Sequence, residues 1–369
     1  MSTPASGQAR LGFACAWGRH PRATWSGTPW HLREALVEHV DVRDVGIRIP
    51  WPVQAAFRGG LGPMWRHSRA WEHYSERQLR RGVARAGCDA VLEIQDLARL
   101  DVPFYVMQDL SYDVLLERYD GRGVTHFPGL GLDAIRRRRD RQLHIYAEAA
   151  GIIAMSQWFA RQLVEKTGLP AAKVHVVHPG ATAATGHAPG NGVRRDPPRR
   201  SLLFVGRDFH TKGGDLVVEA VDVLRRQWDP TVTLTVAGPS RWPLPGEVPA
   251  GVRFLGPVGV EAVAALMDSH DLLVMPSRLE GFGIVFVEAL ARGLPCVGRR
   301  DFAMPEIIDD GRTGRLVDGD DGPALAAVIA EVLDDDAIYD QTWRSRDRVA
   351  AYFTWARAAR ELVEVVAPR

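Results

Sequence analysis

The chain has 369 residues, with 46 Lys and Arg against 45 Asp and Glu, and is 46% hydrophobic and 25% charged. At about 100–200 residues per domain, that length predicts two domains with sizeable cores. A net charge of +1 excludes a protein that grips nucleic acid through bulk charge.

Taken in chain order, short apolar runs alternate with amphipathic segments, the pattern of an α/β protein. In the first half the pattern predicts strands over 11–17, 40–47, 90–94, 102–107, 151–155 and 174–177. Helices are predicted over 29–38, 65–86, 111–119, 132–149 and 157–166. The stretch 181–200, ATAATGHAPGNGVRRDPPRR, has no periodicity and is rich in Gly, Pro and Arg, which predicts a linker or loop. A second series follows, with strands over 202–206, 231–237, 252–255, 271–275 and 295–297. Its helices are predicted over 213–227, 260–268, 284–292 and 323–333, and the tail 344–366 reads as one or two more.

Two similar halves predict twin Rossmann-like, doubly wound domains facing across a cleft, with ligands at the carboxyl ends of the strands. The predicted division is 1–182 plus a C-terminal helix 345–369, a linker 183–200, and 201–344.

Cys15, Cys88 and Cys296 are far apart and form no CxxC pair, which fits a reducing compartment. No apolar run approaches the ~20 residues of a membrane span, and the opening residues lack the apolar stretch of a signal peptide. The expectation is a cytoplasmic protein. Lysine occurs only at Lys166, Lys173 and Lys212, all other cations being arginine. Against such a bias each retained lysine is informative.

The first chemical signal is Phe204-Val205-Gly206-Arg207-Asp208-Phe209-His210-Thr211-Lys212-Gly213-Gly214. A buried strand ends at Gly206, two cations follow, and a helix opens at the paired glycines. Arg207 offers a planar fork suited to phosphate and Lys212 a compact charge. The spacing matches neither a P-loop nor GxGxxG. An ordinary turn with two solvated cations is the competing reading.

The second is Met275-Pro276-Ser277-Arg278-Leu279-Glu280-Gly281-Phe282-Gly283, running into a helix that contains Glu288. Free amides at a helix start attract anions. Eight residues at ~1.5 Å rise hold Glu280 and Glu288 within ~12 Å along the axis. They bracket an extended ligand, or else Glu280 only caps the helix and Glu288 only faces solvent. Together the two segments supply a diphosphate cradle flanked by hydroxyl readers, so the implied ligand is a nucleotide-diphosphate sugar.

These motifs resemble the donor domain of the GT-B glycosyltransferases, in particular the retaining family 4, also called glycosyl transferases group 1. The Gly-Arg…Lys-Gly element and the block PSRLEGFGIVFVEALARGLPCVG carry the likeness, with AMSQWFARQL, VHVVHPGA and GRTGRLVDGDD as further pieces. The resemblance covers about residues 145–335 and reaches the first 145 only loosely. It implies a GT-B fold whose C-terminal helix crosses back to the first domain. It also implies that Arg207 and Lys212 hold the donor diphosphate, Glu280 the transferred sugar and Glu288 the ribose. Gly206 and the amides of Gly281, Phe282 and Gly283 would face the donor. No cofactor and no metal are expected, since fixed cations stand where a divalent ion would, each worth ~3–4 kcal/mol at the transition state.

In the first half, Gly27 in Trp25-Ser26-Gly27-Thr28-Pro29 stands where the family has a glycine loop. A Ser- or Thr-capped helix start explains the same residues. The strand ending Gln108-Asp109 resembles the family's strand ending His-Asp. Gln108 replaces the histidine, which leaves Asp109 to meet the acceptor or to cap the next helix. Six of the eleven tryptophans (Trp17, Trp25, Trp30, Trp51, Trp65 and Trp71) fall in this half, serving either core or apolar ligands. Arg136, Arg137, Arg138, Arg139 and Arg141 form either a solvated helix face or a contact with an anionic acceptor or a membrane surface.

The reaction implied is transfer of the sugar to an acceptor hydroxyl with retention, the departing diphosphate taking the acceptor's proton on the front face. The partners expected are the sugar-nucleotide donor and a sugar, lipid or natural-product acceptor, with no nucleic acid. A sugar-nucleotide 2-epimerase and a non-catalytic sugar-nucleotide-binding subunit remain as alternatives.

Overall fold

The connections between successive short runs, most of them helical, bring the chain back to start each strand in the same direction, so both series form parallel sheets. The computed structural model describes residues 10–62, 64–121, 123–124, 127–181 and 193–366. The chain divides into two compact units, 1–180 with 355–369, and 181–354.

The first unit contains β1 (Arg10–Ala14), β2 (Asp41–Asp44), β3 (Ala90–Ile94), β4 (Phe104–Gln108), a separate hairpin of β5 (Gly123–Val124) and β6 (Phe127–Pro128), then β7 (Gly151–Ala154) and β8 (Val174–Val176). Its sheet runs β2-β1-β3-β4-β7-β8, and every pair is parallel. The helices are α1 (Thr28–Leu36), α2 (Trp51–Leu61), α3 (Arg69–Ala86), α4 (Tyr112–Glu117), α5 (Leu132–Glu148) and α6 (Gln157–Arg161). The predicted helix 65–86 begins at Arg69 because Ser68 caps it, its side chain accepting the Trp71 amide. Trp71, Ser75, Leu79 and Val83 repeat every fourth residue and form the buried stripe.

The second unit contains β9 (Ser201–Val205), β10 (Thr233–Ala237), β11 (Val252–Gly256), β12 (Leu272–Val274), β13 (Cys296–Arg299) and β14 (Gly314–Val317). Its parallel order is β11-β10-β9-β12-β13-β14. This is the doubly wound arrangement, and the direction of winding reverses between β9 and β12. Helices α7 (Gly214–Gln227), α8 (Val260–Ser269), α9 (Ile284–Leu290), α10 (Met304–Ile307), α11 (Gly322–Asp334) and α12 (Asp336–Tyr352) complete it. Phe204, Phe286, Val297 and Ile329 are among its fully buried core side chains.

The tail is two helices, and they part: α12 stays with the second unit while α13 (Trp355–Val366) returns to the first. Trp355, Ala358, Ala359, Leu362 and Val366 give α13 its apolar face. Trp355 stacks on His31 at 6.2 Å, and Arg357 donates to the His178 carbonyl at 2.7 Å. No described helix is long and apolar enough to cross a membrane.

Of the stretch predicted as linker, 183–192 lies outside the described residues, and 193–200 is bound into the second unit. The buried Arg195 side chain donates to the carbonyls of Val193 (2.7 Å), Gly293 (2.9 Å), Met267 and His270. Removing that fork leaves several buried carbonyls unpaired. Arg195→Ala is therefore expected to cost about 3 kcal/mol, read as a lower urea midpoint. Arg195→Lys should recover little of it, since one ammonium cannot span the same acceptors.

Candidate functional site

The two segments singled out in the second half leave the carboxyl ends of β9 and β12. These strands are neighbours in register, Leu202 beside Leu272 and Leu203 beside Leu273, on either side of the point where the winding reverses. Such a reversal opens a crevice at the strand ends.

After β9 the chain makes a tight turn, with the Lys212 amide on the Asp208 carbonyl (2.9 Å) and the Gly214 amide on the Phe209 carbonyl (2.8 Å). Gly213 then starts α7 in a left-handed conformation, φ +75°. A Cβ there would stand 2.5 Å from the Pro276 carbonyl oxygen, so only glycine lets the two loops touch. The Arg278 amide donates to the Thr211 carbonyl at 2.8 Å and fastens one loop to the other.

At this seam Lys212 Nζ lies 2.9 Å from Glu280 Oε1 and 3.3 Å from the Leu279 carbonyl oxygen. Ser277 Oγ donates to Glu280 Oε2 at 3.2 Å. Glu280 is buried and Lys212 half-buried, and the Lys212 stem packs over Gly206. The pair is therefore held by packing as well as by charge, unlike a mobile surface bridge. Arg207 is exposed and has no ion pair or hydrogen bond among the described residues. Gly281, Phe282 and Gly283 are buried, and Gly283 starts α9 with φ +88°. Glu288 is half-buried in the second turn of α9. The structure thus joins Lys212 to Glu280 directly, with Gly206 and the 281–283 turn beside them, and leaves the Arg207 side chain reaching into solvent.

Sequence reasoning missed the supports. Arg278, inside the quoted motif, clamps Asp215 with both terminal nitrogens (2.7 and 2.9 Å) and donates to Asp320 at 2.8 Å. Arg299, with no motif to mark it, donates to the carbonyls of Ser277 (2.9 Å) and Pro276 (3.1 Å) and pairs with Asp320. Two planar forks hold the backbone that carries Glu280.

The first unit has its own cluster at the carboxyl ends of β3 and β4. Gln108 is wholly buried and donates to Gln95 Oε1 and Asp96 Oδ1, both at 2.9 Å, while accepting from the Tyr146 hydroxyl. It is a satisfied core amide. Asp109 follows at the carboxyl end of β4, half-buried, with Gln95 Nε2 3.5 Å from Oδ1. The reading of Asp109 as a helix cap falls, because Ser111 caps α4 through the Val114 amide. Gln95 was not foreseen; its φ of +72° is unusual for a side chain of its kind and marks a strained turn.

That turn is anchored by Glu93, whose Oε2 accepts the amides of Leu97 (2.9 Å) and Ala98 (3.2 Å). Burial lifts its carboxyl to about 8, against the pull of those amides. The folded form thus holds a proton that the unfolded form releases at the ordinary value of 4.5. This contribution is fully present below 4.5 and is lost as pH rises through about 8. Glu93→Gln should flatten that slope, measured as urea midpoints across the window.

Gly27 starts α1 with φ +88°, following Trp25 at +50° and Ser26 at +56°. No side chain caps this helix, so the competing reading of a Ser- or Thr-capped start falls. Of the arginine run, Arg138 is buried against Glu72 (3.3 Å) and Asp96 (3.8 Å), Arg139 pairs with Asp113 (2.7 Å) and Arg141 with Glu76 (3.3 Å). Those three side chains bind the unit's own carboxylates and are neither a solvated face nor a docking patch. Trp17, Trp65 and Trp71 are core.

Comparisons with known proteins follow the same division. Residues 192–350 match the family described as glycosyl transferases group 1. The D-inositol 3-phosphate glycosyltransferase of Streptomyces avermitilis is 34% identical over 248 residues, 61% of this chain and 53% of that protein. The chain thus spans about half the length of the relatives it matches. Among solved structures, sucrose-phosphate synthase from Thermosynechococcus elongatus superposes with a TM-score of 0.68 at 18% identity, over 97% of this chain and 98% of that one. HepE from Anabaena, solved in complex with UDP-glucose, gives 0.62 at 17%, over 96% and 98%. The fold is α/β of the GT-B type, and the second unit of that fold carries the stretch similar to the glycosyl transferases group 1.

Proposed function

We propose that the chain is a glycosyltransferase of the retaining family 4 type. In this reading it moves a sugar from a nucleotide-diphosphate sugar to an acceptor hydroxyl without a metal ion. The observation that carries this is the convergence of the β9 and β12 motifs on the Lys212–Glu280 pair, inside the stretch that matches group 1. The named activity of the inositol-phosphate relative and the UDP-glucose held by HepE support a sugar-nucleotide donor and a hydroxyl-bearing acceptor.

The donor diphosphate takes Lys212 away from Glu280 and draws in the exposed Arg207. Glu280, released, accepts a hydroxyl of the sugar, and Glu288 accepts the ribose. As the bond from the anomeric carbon to the phosphate oxygen breaks, the two cations take up the charge that develops on the diphosphate. The acceptor oxygen bonds to the same face of that carbon, and its proton passes to the departing phosphate oxygen. No protein base is then required. Asp109 of the first unit serves the acceptor by accepting one of its hydroxyls, and Gly27 takes the role of the family's glycine loop in donor binding.

The test is thermal-shift screening against UDP-, GDP-, ADP- and dTDP-sugars, followed by labelled transfer in EDTA and NMR of the product's anomeric centre. One donor should raise the unfolding midpoint by mass action, with transfer unchanged in EDTA and the configuration kept. An inverted product, loss of transfer in EDTA restored by Mg²⁺, or conversion of the donor sugar without acceptor would each overturn the reading.

A further inference from the structure

Helix α2 breaks the rule that a surface helix turns polar side chains to water. None of its eleven residues is buried, and its only polar side chains are Gln54 and Arg58. The inner side is given by Phe57, which stacks on Trp65 at 5.4 Å and meets Trp71 and Tyr74 edge-on. The outer side is Trp51, Pro52, Ala55, Ala56 and Gly59, all exposed and all without a hydrogen-bonding chain except the indole. Trp51 is 74% exposed, and Leu61 at the far end is 46% exposed.

The loop that follows β1 has the same character. It leaves β1, the neighbour of β2 in the sheet, and presents Trp25 at 42% exposure among the exposed Arg19 and Arg22. From Val45 to Trp71 the sequence holds Arg48, Arg58, Arg66 and Arg69 and no Asp or Glu. Arg58 and Arg69 are exposed, while Arg48 is tied to Asp44 at 3.1 Å. An apolar outer face with a lone tryptophan, rimmed by cations and free of acids, suits a surface that is apolar inside and negative at its boundary.

We infer that the outer face of α2, with the Trp25 loop, docks this chain on an anionic lipid bilayer. Trp51 enters the headgroup layer, and Arg58, Arg69, Arg19 and Arg22 pair with lipid phosphates. Of the arginine run of α5, the other segment for which sequence analysis weighed such a contact, Arg138, Arg139 and Arg141 are spent on internal ion pairs. Docking of this kind does not depend on the transferase reading.

The test is co-sedimentation of the full chain with phosphatidylglycerol–phosphatidylcholine vesicles and with phosphatidylcholine vesicles alone. Binding is expected only to the former and should weaken as salt rises. Trp51→Ser should lower partitioning about tenfold, since the indole is then no longer buried in lipid. Arg58→Gln and Arg69→Gln should each lower it about fivefold. Because Trp51 is exposed, its variant should keep the wild-type unfolding midpoint, which separates lost docking from lost folding. Equal binding to both vesicle types, or wild-type binding by Trp51→Ser, overturns the proposal. So does a dimer in sedimentation velocity that Trp51→Ser dissolves, since a second copy would then cover this face.

Discussion

Lys212→Ala is expected to lower kcat/KM for sugar transfer by about 10²–10³ and to remove most of the thermal stabilisation given by the donor. The size follows from where Lys212 sits. Its stem lies over Gly206 and its ammonium is held at the seam by Glu280 at 2.9 Å and the Leu279 carbonyl at 3.3 Å, so the charge has only to turn from Glu280 to the diphosphate. Arg207, exposed and without such packing, cannot substitute for a charge already held at the seam. Truncation also strips the buried Glu280 of its cation, at about 1–2 kcal/mol of folding stability once partial exposure is discounted. Lys212→Arg should restore less than about tenfold, because the larger planar head does not fit a site built on that glycine contact. Added Mg²⁺ or Mn²⁺ should restore nothing. Near-normal turnover in Lys212→Ala would remove the donor site from this seam.

The sheets and the two glycine-bearing loops after β9 and β12 were legible because their physics is local. A buried strand must be apolar, and a phosphate-binding turn must combine glycine with fixed cations within a few residues. What stayed hidden depends on partners distant in sequence. Arg299 holds the Pro276–Ser277 backbone from another strand, and nothing in its neighbours announces that. Gln108 read as a lost histidine, but Gln95, Asp96 and Tyr146 turn it into a core amide. Helix α2 was missed because WPVQAAFRGGL lacks the polar face that makes helical periodicity visible. Strand β14, four residues after a glycine turn, was too short to show a pattern. In the arginine run the internal pairing of Arg138, Arg139 and Arg141 was hidden for the opposite reason: their charges are visible in sequence, but Glu72, Glu76, Asp96 and Asp113 that neutralise them are not adjacent.

Glu280→Gln should separate binding of the leaving group from chemistry on the sugar. In the unliganded chain Glu280 neutralises Lys212, so the ion pair competes with the incoming diphosphate. Glutamine keeps an oxygen for the Ser277 hydroxyl but removes the competing charge, and Lys212 then faces the phosphates unopposed. Affinity for the nucleoside diphosphate alone should stay level or tighten by up to about tenfold, whereas transfer should fall about 10²–10³. In the proposed mechanism the loss falls on transfer, because there the carboxylate holds the sugar and offsets positive charge growing at the anomeric carbon, and an amide does the first weakly and the second not at all. Calorimetry with the free nucleotide beside initial rates of transfer reads both quantities on one preparation. If diphosphate affinity drops in parallel with turnover, Glu280 acts only by holding the loop, and the sugar-binding role passes to another group.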